Sequence, residues 1–126
     1  MSITSNSYWR SKKGHAYEKL ALDYLRCKGL QLLTSNYRCA MGEIDLIMRK
    51  DDMLVFVEVR YRENREFGGA LATVTRSKQQ KLVLAARHFL LCHKDYQACC
   101  CRFDVIGVQT GSSGATEFNW IENAFC

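Results

Sequence analysis

Two carboxylates and a guanidinium interrupt the most apolar stretch of this chain. Between Gly42 and Tyr61 it reads GEIDLIMRKDDMLVFVEVRY, with Asp45, Glu58 and Arg60 set among Ile44, Leu46, Ile47, Leu54, Val55, Phe56, Val57 and Val59. Side chains alternate faces along a strand, so Glu58 shares a face with Arg60 and Glu43 shares one with Asp45. A third acid stands on an apolar helix stripe: Ala21, Leu22 and Leu25 follow Glu18 at i+3, i+4 and i+7. Charge in such places is costly unless it is paired or binds a cation. Carboxylates converging from separate elements are hard oxygen donors, the kind Mg²⁺ or Mn²⁺ takes, with waters and a substrate phosphate completing the shell. Such an ion activates a water and offsets charge growing on phosphorus, which is phosphodiester hydrolysis, and Arg60 would sit beside the attacked phosphate. The same residues admit a structural reading, a buried network in which Arg60 pairs with Glu58 or Asp45.

The elements that must position these groups follow from periodicity. Residues Ser11 to Lys28 predict a helix capped by Gly29, with Glu18 on its inner face and Asp23 on the outer one beside Lys19 and Arg26. Leu30 to Cys39 reads as a strand, and the stretch from Gly42 to Tyr61 as a hairpin turning at Asp51-Asp52. Its second arm is apolar on both faces and belongs in the middle of a covered sheet. Arg62 to Thr75 reads as a basic loop around Gly68-Gly69. Ser77-x-x-Gln80 matches a capping box and predicts a helix to about His93, with Leu82, Ala85, Ala86, Phe89 and Leu90 as its buried stripe. Arg102 to Gln109 predicts a further strand, and GSSG leads to a short last one near Phe118 to Ile121. The order is α-β-β-β-α-β-β, an α/β fold in which a sheet is covered by helices. Residues 1–126 form one domain on this reading, with 1–10 as a flexible polar arm.

Bulk composition agrees. At 126 residues and 48% hydrophobic, the chain supports one core and not two. Its net charge is +5, yet no Lys or Arg occurs from Phe103 onward. A basic half beside an acidic end points to a polyanion on one side of the molecule. No apolar run is long enough to span a bilayer, and the N-terminus lacks a signal-peptide core, so a cytoplasmic location is expected. Seven cysteines, an odd number, then read as reduced thiols.

Asp45, twelve residues, then Glu58-Val59-Arg60 resembles the Asp…(Asp/Glu)-x-Lys signature of restriction-endonuclease-like nucleases. The added acid on the first helix, Glu18, is similar to the archaeal Holliday-junction resolvases. More specifically, GEIDLIMR, VFVEVRYR, GGA, VTRSKQ and CRFDV resemble the YraN-like family of uncharacterised bacterial proteins, over about Lys13 to Phe125. The resemblance implies a restriction-endonuclease-like α-β-β-β-α-β core with a central mixed sheet flanked by helices. It implies a Mg²⁺-dependent (or Mn²⁺-dependent) nuclease acting on nucleic acid, DNA in the first instance and branched DNA among its substrates. By position Asp45 and Glu58 would be metal ligands, Glu18 an accessory acid at the metal, and Arg60 the counterpart of the signature lysine. Arginine keeps its proton near neutral pH, so Arg60 cannot serve as general base. Lys78 or Gln79 could supply the missing group if that end of the second helix approaches the site. Arg62, Arg65, Arg76 and Lys78 are the candidate phosphate contacts, and a homodimer is compatible with the sequence.

Other signals are weaker. Glu43 reads as structural, and Asp104 as a strand acid paired with Arg102. Cys92, His93, Cys99, Cys100 and Cys101 resemble soft-metal ligands but lack the repeated Cys-x₂₋₄-Cys spacing of zinc sites. A cysteine nucleophile paired with His15, His88 or His93 has no local signature. The Gly68-Gly69 loop lacks the Gly-Lys-Ser/Thr of a phosphate-cradling loop. Two further readings remain: a non-catalytic nucleic-acid-binding module of the same fold, and a small scaffold whose sheet edge binds a protein.

Overall fold

The computed structural model describes residues 5–62, 70–111 and 113–125, with side chains from residue 15 onward and without that of Arg62. Helix α1 runs Ser5–Cys27. It therefore begins before Ser11 and takes in part of the segment expected to be an arm. Leu30 N–H donates to Leu25 O at 3.1 Å and Gly29 N–H to Arg26 O at 3.0 Å. That is the Schellman pattern, with Gly29 at φ +96° supplying the left-handed residue it needs.

Strand β1 (Gln31–Cys39) pairs antiparallel with β2 (Gly42–Lys50), and β2 pairs antiparallel with β3 (Met53–Arg62) through the expected turn at Asp51-Asp52. Helix α2 (Arg76–Cys92) carries the chain across to β4 (Cys100–Thr110), parallel to β3; β5 (Thr116–Phe125) returns antiparallel. Strand order is β1-β2-β3-β4-β5. The α-β-β-β-α-β core and its mixed sheet are thus as expected, with β3, apolar on both faces, at the centre. The last strand is longer than Phe118 to Ile121. Its far end is held by a buried carboxylate: Asp104, fully buried, accepts from Trp120 Nε1–H and from Asn123 N–H, each at 2.9 Å.

Helix α1 covers one sheet face, where Ala21 and Leu25 meet Leu46, Met48, Val55, Val57, Ile106 and Val108. Helix α2 covers the other, where Leu82, Ala85, Ala86 and Phe89 meet Ile47, Leu54, Phe56 and Val105. Its cap is Thr75, whose side chain accepts from Lys78 N–H at 3.1 Å, and not Ser77. The helix starts early because Val74 is buried in extended backbone and Gln79 Nε2 donates to Val74 O at 3.1 Å. A short 3₁₀ turn, Leu71–Thr73, precedes it. This segment lies so close to β4 that a Cβ on Gly107 would come within 2.7 Å of Ala70 Cβ. Gly107 pairs with Arg60 in register, so that close approach sets the 3₁₀ turn beside the Arg60 side chain. No helix among the described residues is long and apolar enough to cross a membrane.

Candidate functional site

The site forms where the central hairpin opens. Pairing between β2 and β3 reaches Leu46↔Val57 and goes no further, although β3 stays paired with β4 as far as Arg62↔Gln109. At the fork Asp45 turns its carboxyl toward β3 and takes the Val59 N–H at 2.8 Å. A part-buried peptide donor is thereby satisfied by a side chain. Alternation sends Glu58 and Arg60 toward the α2 side and Tyr61 toward the α1 side. Groups from both faces thus line one cavity of about 230 Å³: Tyr17 and Glu18 of α1, Glu43 and Asp45 of β2, Glu58 to Tyr61 of β3, and Lys78 of α2.

Glu58 is 4% exposed and lies 3.1 Å from Arg60 Nη1 and 3.8 Å from Lys78 Nζ. Arg60 is held at its other edge, where Nε donates to Thr73 Oγ1 at 3.0 Å while Thr73 Oγ1 donates to Ala70 O at 2.6 Å. Asp45 and Glu58 share a side-chain hydrogen bond, and burial, then the Glu58 charge, push the Asp45 carboxyl well above the usual range. Glu18 is pushed up to about 7, first by burial and then by Asp45, against a hydrogen bond from Asn36 that favours its charged form. A raised carboxyl packed against Glu58, and a third acid raised beside them, mark a place that accepts added positive charge.

Glu18, Asp45, Glu58 and Arg60, singled out on three elements, therefore meet in one cavity, and Lys78 joins them. Gln79 does not: it is tied to Val74 O. Arg76 lies apart as well, lining a groove of about 550 Å³ along α2 with Gln79, Gln80, Val83, Leu84 and Arg87. Arg65, Gly68-Gly69 and the Arg62 side chain lie outside the described residues. Glu43 sits at the rim in an exposed pair with Arg38, 3.1 Å apart, which contributes little. Among the described residues no three Asp, Glu, His or Cys side chains close on one point as metal donors. The donor set still suits Mg²⁺, which is commonly held by one or two carboxylates and keeps several waters. Asp45 and Glu58 could serve as those two carboxylates, with Glu18 lining the same cavity.

Four contributors were not marked in the sequence. Asn36 (φ +53°) stands on β1 between the partners of Leu46 and Ile44, and so opposite Asp45, and supports Glu18. Thr73 orients Arg60. Tyr17 and Tyr61 stack on each other with centroids 3.8 Å apart. Their only local signal is adjacency, since Tyr17 precedes Glu18 and Tyr61 follows Arg60.

The remaining polar clusters are structural in their contacts. Arg102 donates to both Asp104 oxygens, at 3.1 and 3.2 Å, the pairing expected from sequence. His93 Nδ1 lies 2.8 Å from Phe89 O, while Cys92 lies 4.0 Å from the His88 ring, whose Nδ1 meets Tyr37 Oη.

Residues 17–108 match the model of a family described as uncharacterised protein family UPF0102. A UPF0102 protein of Aeromonas hydrophila is 53% identical over 90% of this chain and 84% of its own length. That of Alcanivorax borkumensis is 46% identical over 92% of this chain and 94% of its own. Among solved structures, Pyrococcus furiosus SfsA in complex with Ca²⁺ is similar at TM-score 0.41 and 14% identity. The match covers 89% of this chain and 63% of that one, less than two thirds of its length.

Proposed function

The chain belongs to the uncharacterised protein family UPF0102, and we propose that it is a metal-dependent nuclease, cutting nucleic acid by phosphodiester hydrolysis. The observation that carries this reading is the meeting of Asp45 and Glu58 in one cavity, with a lysine brought in from α2. A bound Mg²⁺ or Mn²⁺ would supply water activation and charge neutralisation at the phosphate. Asp45 and Glu58 would hold the ion, and Glu18, raised to about 7, would exchange protons with water in the cavity. Lys78 takes the part that the resemblance gives to a lysine two residues after the second acid. Its amine reaches Glu58 from another element, 3.8 Å away. Arg60, fixed between Glu58 and Thr73, orients the second carboxylate and keeps positive charge beside the phosphate.

The test is a cleavage assay on duplex, single-stranded and four-way-junction DNA and on RNA, with Mg²⁺ or Mn²⁺. Wild type should cut at least one substrate, and Asp45→Asn should bind without cutting. A non-catalytic binding module of the same fold is the second reading. It is favoured by Arg60, an arginine where the resemblance gives a lysine. Salt-sensitive binding by wild type without cleavage of any substrate would select it.

A further inference from the structure

Metal-assisted hydrolysis makes no use of the two tyrosines in the cavity wall. Tyr17 and Tyr61 stack nearly parallel, 3.8 Å between centroids and 15° between planes. Other stacked rings, Phe56–Phe103 and Phe103–Phe125, belong to the apolar core or its border. This pair instead shares a lining with Glu18, Asp45, Glu58, Arg60 and Lys78. Tyr17 is anchored against the α1-side core, and Tyr61 lies against it from the end of β3. Both are half-buried, the boundary position that suits an amphipathic ring. The wall therefore sets a stacked aromatic pair beside two cations and a carboxylate pair.

We propose that Tyr17 and Tyr61 form a stacking platform for one unpaired base, next to the phosphate that Arg60 and Lys78 attract. The substrate class is then single-stranded or locally unpaired nucleic acid, not continuous duplex. The inference rests on the reading that this cavity receives nucleic acid. Its physical basis is that bases in a duplex already spend their faces on each other, whereas an unpaired base offers its face to an aromatic side chain. The cavity's size agrees. At about 230 Å³ it is below the ~300–1,000 Å³ of drug-sized pockets, too small for a helix.

The test uses a single strand carrying 2-aminopurine, whose emission is quenched by stacking, and the matched blunt duplex. Both are titrated with full-length protein in EDTA so that no strand is cut. Wild type and Tyr61→Phe should quench the probe. Tyr61→Leu should abolish quenching and weaken single-strand binding by about 5- to 150-fold, the span of one base–aromatic stack, leaving duplex binding unchanged. Tyr61 is the informative position because Tyr17 also packs against the core; thermal unfolding of each variant checks the fold. Binding of both forms without quenching, or an equal loss on strand and duplex in Tyr61→Leu, overturns the platform alone. Wild type that binds neither form, in EDTA or with Mg²⁺, overturns the nuclease reading and the platform with it.

Discussion

Replacing Asp45 and Asp104, one at a time, with asparagine should move stability in opposite directions, although both are carboxylates within the sheet. Asp104 is fully buried and accepts four hydrogen bonds, two from Arg102, one from Trp120 Nε1 and one from the Asn123 peptide. Asparagine offers one acceptor oxygen and presents N–H groups to donors, so Arg102, 17% exposed at its side chain, loses its main counter-charge. Breaking a buried pair in this way costs about 3–5 kcal/mol. For a chain of 126 residues that is a fall in Tm of roughly 12–20 °C, at about 4 °C per kcal/mol.

At Asp45 the sign changes. Its folded-state pKa is raised, so between the usual carboxylate range and the raised value the folded protein binds more protons than the unfolded one. Stability contributed by the protonated form is then lost as pH rises through the folded-state pKa. Asparagine mimics that protonated form at every pH: its oxygen can accept the Val59 N–H and its amide can donate to Glu58. Without divalent ion at pH 8 to 9, Asp45→Asn should match or exceed wild type in Tm, and the gap should narrow toward pH 5. The assay is thermal unfolding by circular dichroism across that range in EDTA. A loss at Asp45→Asn as large as that at Asp104→Asn would refute the reasoning, since Asp45 would then be a structural acid like Asp104.

Further expectations concern the ion, the cations and the close packing beside them. Mg²⁺ at a hundred times its Kd should stabilise wild type by about 2.7 kcal/mol, less at pH 6 than at pH 8 because raised carboxyls such as Glu18 (about 7) must release protons, and Asp45→Asn should lose the effect in differential scanning fluorimetry. Lys78→Met should reduce cleavage far more than Tm, whereas Arg60→Lys, which breaks the bridge between Glu58 and Thr73, should lower Tm by several degrees and add nothing to rate. The Arg62, Arg65 and Arg76 triple alanine variant should weaken DNA binding and reduce the slope of log K against log salt by about 2 to 3, read by fluorescence anisotropy. Gly107→Ala should destabilise by about 1–3 kcal/mol in urea unfolding, because its Cβ would lie 2.7 Å from Ala70 Cβ.

What could be read from the sequence is what local pattern determines. The hairpin, the central β3 and the inward Glu18 are legible because alternation and a helical stripe specify which face each side chain takes. The first turns of α1 are not, since Ser5 to Arg10 carry few apolar residues and no stripe marks a helix there. The Thr75 cap competes with a better local match at Ser77, and burial of Val74 decides between them. The length of β5 depends on Asp104, whose bonds to Trp120 and Asn123 span 16 and 19 residues. Lys78 was legible as a candidate but not as a neighbour of Glu58. One local signal existed: a basic residue in a first helical turn that holds no acid runs against the helix dipole, which calls for a carboxylate elsewhere.

The site lies at the Asp45 fork because a closed sheet separates what it covers. Tyr17 and Glu18 of α1 and Lys78 of α2 stand on opposite faces and cannot meet through paired strands. They meet only where β2 leaves β3, beyond Leu46↔Val57, and the peptide groups left there need a substitute partner. Asp45 is that substitute for Val59, which places a carboxylate in the gap and beside Glu58. The hydrogen bond that lets the sheet open is thus made by the same side chain that sets the charge of the cavity. Sequence shows the cost of that arrangement, an acid amid Ile44, Leu46 and Ile47, and only the fold shows what the opening joins.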